Sequence, residues 1–180
     1  MPVVYEEFEA LKSFVEFGEE DEKNLASLAD IVANHGPALT DHFYDTLGSV
    51  PETAKIIEGR VESLKKTHRQ YMLELTSGDY GNAYFERRAK IGQVHVERGI
   101  DPRFVEGVMS VIRAGMLKAM ASEISDPAEL ASKASSFIKL CDLDLAIINL
   151  AYSEERLDRF SEFTGMKRRL IENVITMPKR

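Results

Sequence analysis

The sequence predicts an all-α protein, and three observations carry that prediction. Proline and glycine recur at intervals that suit helices. The stretches between them place apolar residues at steps of three and four, and no alternating run is bounded by hairpin turn signals. A chain of 180 residues, 44% hydrophobic and 29% charged, suits one ordinary globular domain with or without a short extension.

The elements follow in order. A first helix is expected over residues 3–15, with Val4, Phe8, Leu11 and Val15 along one face. A second starts near Glu20, carries Leu25, Leu28 and Val32, and stops at His35-Gly36. Pro37 then opens a third at the first helical position, where its missing N–H is harmless. That helix holds Leu39, Phe43, Tyr44 and Leu47 and ends at Gly48. A short segment from Pro51 to Gly59 leads to a helix over about 60–77, whose stripe is Val61, Leu64, His68, Tyr71 and Leu75. Gly78 ends it. The next helix spans about 82–98, with Gly99 just past its end. Asp101-Pro102 reads as an N-cap and first-turn proline opening a helix to Glu123. Ser125-Asp126-Pro127 repeats the signal. The helix it opens meets no breaker until Gly165, a length of roughly 55 Å at ~1.5 Å per residue. Along its tail, Phe160, Phe163, Met166, Leu170, Val174 and Met177 keep a heptad-like spacing. The expected organisation is a domain over 1–158 and a helical extension or coupling helix over 159–180.

Charge and cysteine content narrow the classes of function. A net charge of −7 argues against nucleic acid as a partner. The single cysteine, Cys141, rules out an internal disulfide, a cysteine-based zinc site and covalent haem attachment through paired cysteines. No run of ~18 uncharged apolar residues exists for a membrane span. The opening MPVVYEEFEALKSF lacks the basic-then-apolar order of a secretory signal, so a cytoplasmic location is expected.

Two histidines lie on helical faces that otherwise read as core. His68 sits mid-stripe, and His95 shares a face with Ile91, with Arg88 expected at the rim. A buried imidazole needs a partner, which leaves a hydrogen bond, a proton acceptor or a metal. Neither has a carboxylate at helical spacing to serve. The chain shows no catalytic constellation, no Glu-x-x-His pair for a di-iron bundle and no zinc-protease motif. An apolar pocket between helices suits haem. His35 and His42 read as solvated near a helix end.

The segment RAKIGQVHVERGIDPRFVEGVMSVI resembles the proximal region of the globin domain of bacterial globin-coupled sensors, in the sensor-globin and protoglobin lineage. HFYDTL is similar to that family's distal-tyrosine segment, and VESLKKTH to its distal helix; the likeness covers roughly residues 20–155. It implies a three-over-three globin fold with a pre-A helix, a reduced D region and a long C-terminal helix. It further implies non-covalent b-type haem, with His95 as proximal iron ligand and Tyr44 as the distal tyrosine, able to donate a hydrogen bond to O₂. Phe43 packs beside that tyrosine, and Leu64 and Thr67 match pocket-lining positions. Ile91 and the aromatic Phe104 complete the expected lining. Phe104-Val105 stands where many members carry Trp-Tyr, and Arg98 replaces an apolar residue.

His68, on the helix the resemblance makes distal, is a candidate second iron ligand, giving a six-coordinate resting state; the alternative is that Thr67 faces the iron while His68 packs over the porphyrin or bonds a propionate. Lys65, Lys66, Arg87 and Arg88 are candidate partners for haem propionates. The implied function is a haem-based sensor of O₂, CO, NO or redox state. It acts through its long C-terminal helices, as a homodimer joined by the last two, with a C-terminal or separate transmitter module. Two other classes stay open: a globin enzyme or carrier such as an NO dioxygenase, and a haem-free interaction module.

Overall fold

The computed structural model describes residues 5–178. Among them the order is α1 Tyr5–Phe14, α2 Glu19–Ala26, α3 Ala29–Ser49, α4 Pro51–Ile57, α5 Val61–Glu74, α6 Asn82–Glu97, α7 Pro102–Glu123, α8 Pro127–Thr164 and α9 Arg168–Thr176, with no strand among the described residues. On α1, Phe8 is buried while Leu11 packs against the core; Val4 lies outside the described residues.

One expected boundary is wrong. The break falls at Ser27-Leu28, and α3 runs straight through Gly36-Pro37. Pro37 leaves the Ala33 carbonyl without its helical N–H, an interruption that ordinarily disfavours a helix by ~3 kcal/mol. What overrides it is a continuous buried stripe: Val32, Gly36, Thr40, Phe43 and Tyr44 all face inward. A glycine-proline pair therefore marks no break where the apolar period continues across it. As a consequence His35 and His42 sit mid-helix, His35 bonded to Glu123 at 2.9 Å and His42 exposed.

The remaining caps agree with the sequence. Asp101 accepts from the Arg103 N–H at 2.9 Å, and Asp126 from the Ala128 N–H at 2.7 Å. The long helix α8 spans 38 residues and ends at Gly165, whose φ of 69° stops it. The apolar heptad therefore does not continue along one rod. The chain turns, and Arg168 at the start of α9 reaches back to Glu154 and Asp158 of α8. Ile171 is buried, whereas Phe163 is 91% exposed.

The most extensive helix pairing is α6 on α8, and Gly92 lets the two lie close. A Cβ there would lie 2.5 Å from the Ile148 carbonyl oxygen and 2.7 Å from the Ala151 Cβ. Alongside runs a buried ionic knot. Arg88 donates to Asp144 through Nε at 2.9 Å and to Glu74 through Nη1 at 2.6 Å. The Tyr71 and Tyr84 hydroxyls also donate to Asp144, and both rings flank the guanidinium. Arg88 is 1% exposed, so its expected place at a rim is corrected: a carboxylate from α8 draws it into the interior.

Candidate functional site

The end of α6 is a Schellman motif. Ile100 N–H donates to the His95 carbonyl at 2.9 Å and Gly99 N–H to that of Val96 at 3.0 Å, with Gly99 at φ 65°. That closure fixes the backbone of His95. Its ring lies against Tyr152 of α8, centroids 6.2 Å apart and planes 20° from parallel. The Tyr152 hydroxyl donates to the Ile100 carbonyl, tying the same turn to α8.

His95 faces a cavity of about 510 Å³, within the range of cofactor pockets (about 300–1,000 Å³). Every predicted site residue lines it: Phe43 and Tyr44 from α3; Leu64, Thr67 and His68 from α5; Ile91 and His95 from α6; and Phe104 from α7. The cavity lies between two apolar clusters. Phe43, Tyr44, Leu64, Tyr71, Met109 and Ile112 belong to the main core; Val105, Ile148 and Tyr152 form a smaller one beside His95. Two helices thus direct imidazoles into one greasy space.

The polar atoms in it are under-partnered. His68 is 9% exposed, its ring 4.2 Å from that of Phe43, centroid to centroid. Its Nδ1 meets the Thr40 hydroxyl at 2.9 Å, and its Nε2 is buried without a partner. Nδ1 of His95 is likewise buried without one. Burial pushes the His68 imidazole down to about 4 and lowers His95 as well. In both cases burial favours the neutral imidazole, the form in which a ring nitrogen offers its lone pair to a metal. Burial pushes the Tyr44 phenol up to about 12, so it stays protonated, and its hydroxyl hydrogen-bonds to no protein atom among the described residues. Tyr71, by contrast, is committed to Asp144.

Of the four cations considered for propionates, only Arg87 lines the cavity, joined by Lys90, which sequence reasoning missed. Lys65 is paired with Asp41 at 2.8 Å, Lys66 is exposed outside the cavity, and Arg88 is in the ionic knot. Thr40 was also missed. The signal was present: it is a polar residue on the same α3 stripe as Tyr44, which is the reasoning that singled out His68.

An unpartnered buried imidazole nitrogen, a second neutral histidine and an aliphatic-aromatic lining fit a planar iron porphyrin better than any polar ligand. Such a helix order around such a cavity is that of a globin domain. Residues 4–158 match the Protoglobin family model, and the chain belongs to the protoglobin family. Its fold is that of the globin domain of the Geobacter sulfurreducens globin-coupled sensor (TM-score 0.77, 31% identity, 80% of this chain and 96% of that one). The globin domain of E. coli DosC in a ferric form shares the fold at 18% identity, with a TM-score of 0.69 over 79% of this chain and 97% of that one. In sequence, the chain is 32% identical over 110 residues to the heme-based aerotactic transducer HemAT of Halobacterium salinarum. That match takes in 58% of this chain and 22% of that relative, so the chain spans about a fifth of it. Among the described residues no helix is long and apolar enough to cross a membrane.

Proposed function

We propose that the chain is a haem-based gas or redox sensor domain, and that the cavity between α3, α5, α6 and α7 holds b-type haem. The observation that carries this reading is the pair of histidines from α5 and α6 that line one apolar cavity, each with a buried ring nitrogen that lacks a partner. His95 is the proximal ligand and His68 the second ligand at rest. Bound haem supplies an iron centre that takes up O₂, CO or NO and changes oxidation state. The chain's own part is to hold and report. Tyr44 offers a protonated phenol to a polar diatomic ligand, the aliphatic lining excludes water, and Arg87 and Lys90 give cationic partners for carboxylates at the rim.

With haem bound, His68 would compete with a gas for it, so ligand uptake would be a competition within the protein. His68 is carried by α5, whose Tyr71 is bonded to Asp144 of α8. His95 reaches α8 as well, through Tyr152. Both sides of the cavity therefore bear on the long helix that leads out of the domain. Residues 159–180 then serve as the coupling segment, and the apolar side chains exposed there suit a homodimer or a transmitter module. This role is a sensor's and not an enzyme's.

The test is reconstitution with haem. The wild-type protein is expected to gain a Soret band that shifts with CO; His95→Ala is expected to lose haem or show an altered band. A protein that takes up no haem, or a His95→Ala variant with an unchanged spectrum, would overturn the proposal.

A further inference from the structure

Thr40 behaves unlike four other helical threonines. Thr46, Thr67, Thr164 and Thr176 each turn their hydroxyl back to the carbonyl four residues earlier. That is the ordinary local bond of a threonine inside a helix. Thr40 forgoes it. Its side chain is fully buried, and its hydroxyl is spent on Nδ1 of His68, 28 residues away on another helix, at 2.9 Å.

The two cavity histidines consequently differ. His68 has a hydrogen-bond partner on the nitrogen that points away from its free Nε2, and His95 has none on its buried Nδ1. A hydrogen bond at one ring nitrogen decides which tautomer the imidazole adopts and how strongly the other nitrogen donates. When the Thr40 oxygen accepts from Nδ1–H, the lone pair of Nε2 is available. Without the hydroxyl, the buried N–H at Nδ1 is left unsatisfied and that tautomer is disfavoured.

Resting on the reading of His68 as an iron ligand, we propose that Thr40 is its positioning residue. By accepting a hydrogen bond from Nδ1–H it would fix the ring with the Nε2 lone pair free for iron, and so set how strongly His68 competes with an incoming gas. The gas affinity of the domain is then tuned from α3, by a residue that touches neither haem nor gas. Loss of such a partner typically weakens metal binding by about 10–100-fold. Because His68 and gas exclude each other, weakening His68 raises the apparent gas affinity by up to the same factor.

The experiment compares haem-loaded, ferrous, gas-free protein as wild type, Thr40→Val, Thr40→Ala, Thr40→Ser and His68→Leu, by visible spectrum and by CO titration. Thr40→Val and Thr40→Ala are expected to show a larger five-coordinate fraction and CO affinity raised roughly tenfold. Thr40→Ser, which keeps the hydroxyl, is expected to stay near the wild type. Should Thr40→Val fail to hold haem, the Ala and Ser pair decides the matter. A CO affinity unchanged in Val and Ala, or a shift shared by Ser, would overturn the role of Thr40 while the effect of His68→Leu left the two-histidine reading standing. A wild-type spectrum in His68→Leu would instead overturn that reading.

Discussion

Tyr152 grips His95 in two ways: its ring stacks on the imidazole at 6.2 Å, and its hydroxyl bonds the Ile100 carbonyl of the turn that closes over His95. Replacing Tyr152 with Phe keeps the stack and removes one largely buried hydrogen bond. The expected result is a loss of ~1 kcal/mol in urea unfolding, with faster amide exchange confined to the end of α6. Unchanged exchange there would show that the Schellman motif fixes His95 without help from α8.

Gly92 lets α6 lie close against α8, and its missing Cβ would meet backbone, which cannot move aside cheaply. Gly92→Ala is expected to destabilise the domain by ~1–3 kcal/mol despite alanine's better helix propensity. A variant as stable as the wild type in denaturant would contradict the packing described here.

The Arg88–Asp144 pair predicts a non-additive mutant cycle. Burial raises the Asp144 carboxyl, and Arg88, Tyr84 and Tyr71 oppose this by donating to it. Asp144→Ala strands a buried guanidinium and is expected to remove ~3–5 kcal/mol or to prevent folding. Arg88→Met combined with Asp144→Leu is expected to recover most of that loss. Equal, additive losses would mean that the charges act separately.

Asp21 gives a pH signature. Burial works against its charge, yet the Ser136 hydroxyl, the Gly18 N–H and Lys139 together hold its pKa below the ordinary 3.8. The unfolded chain takes up the proton first as pH falls through about that value. The stability contributed by Asp21 is therefore full above it and is lost as pH descends to the lowered folded value. The wild-type apoprotein is expected to exceed Asp21→Asn in urea midpoint at pH 7, with the gap narrowing below pH ~4. A gap constant from pH 7 to 3 would contradict this.

Much of the fold was legible because its signals are local. The caps at Asp101 and Asp126, the C′ glycine at 99 and the stop at Gly165 depend on a few neighbouring residues, and all stand where the sequence puts them. Pro37 was misread because a local rule was applied where a long buried stripe outweighs it. The lining residues could be named since helical period and family likeness agreed. The burial of Arg88 and the bond of Thr40 could not be read, because their partners, Asp144 and His68, are 56 and 28 residues away. Such pairings are fixed by how helices cross, which no short window contains.

The central claim is that His68 and His95 serve one haem. The most direct measurement is the visible spectrum of the ferrous, gas-free protein beside that of His68→Leu. Sharp, split bands in the wild type that collapse to one broad band in the variant are the predicted result. A single broad band in both, or split bands in both, would contradict the claim.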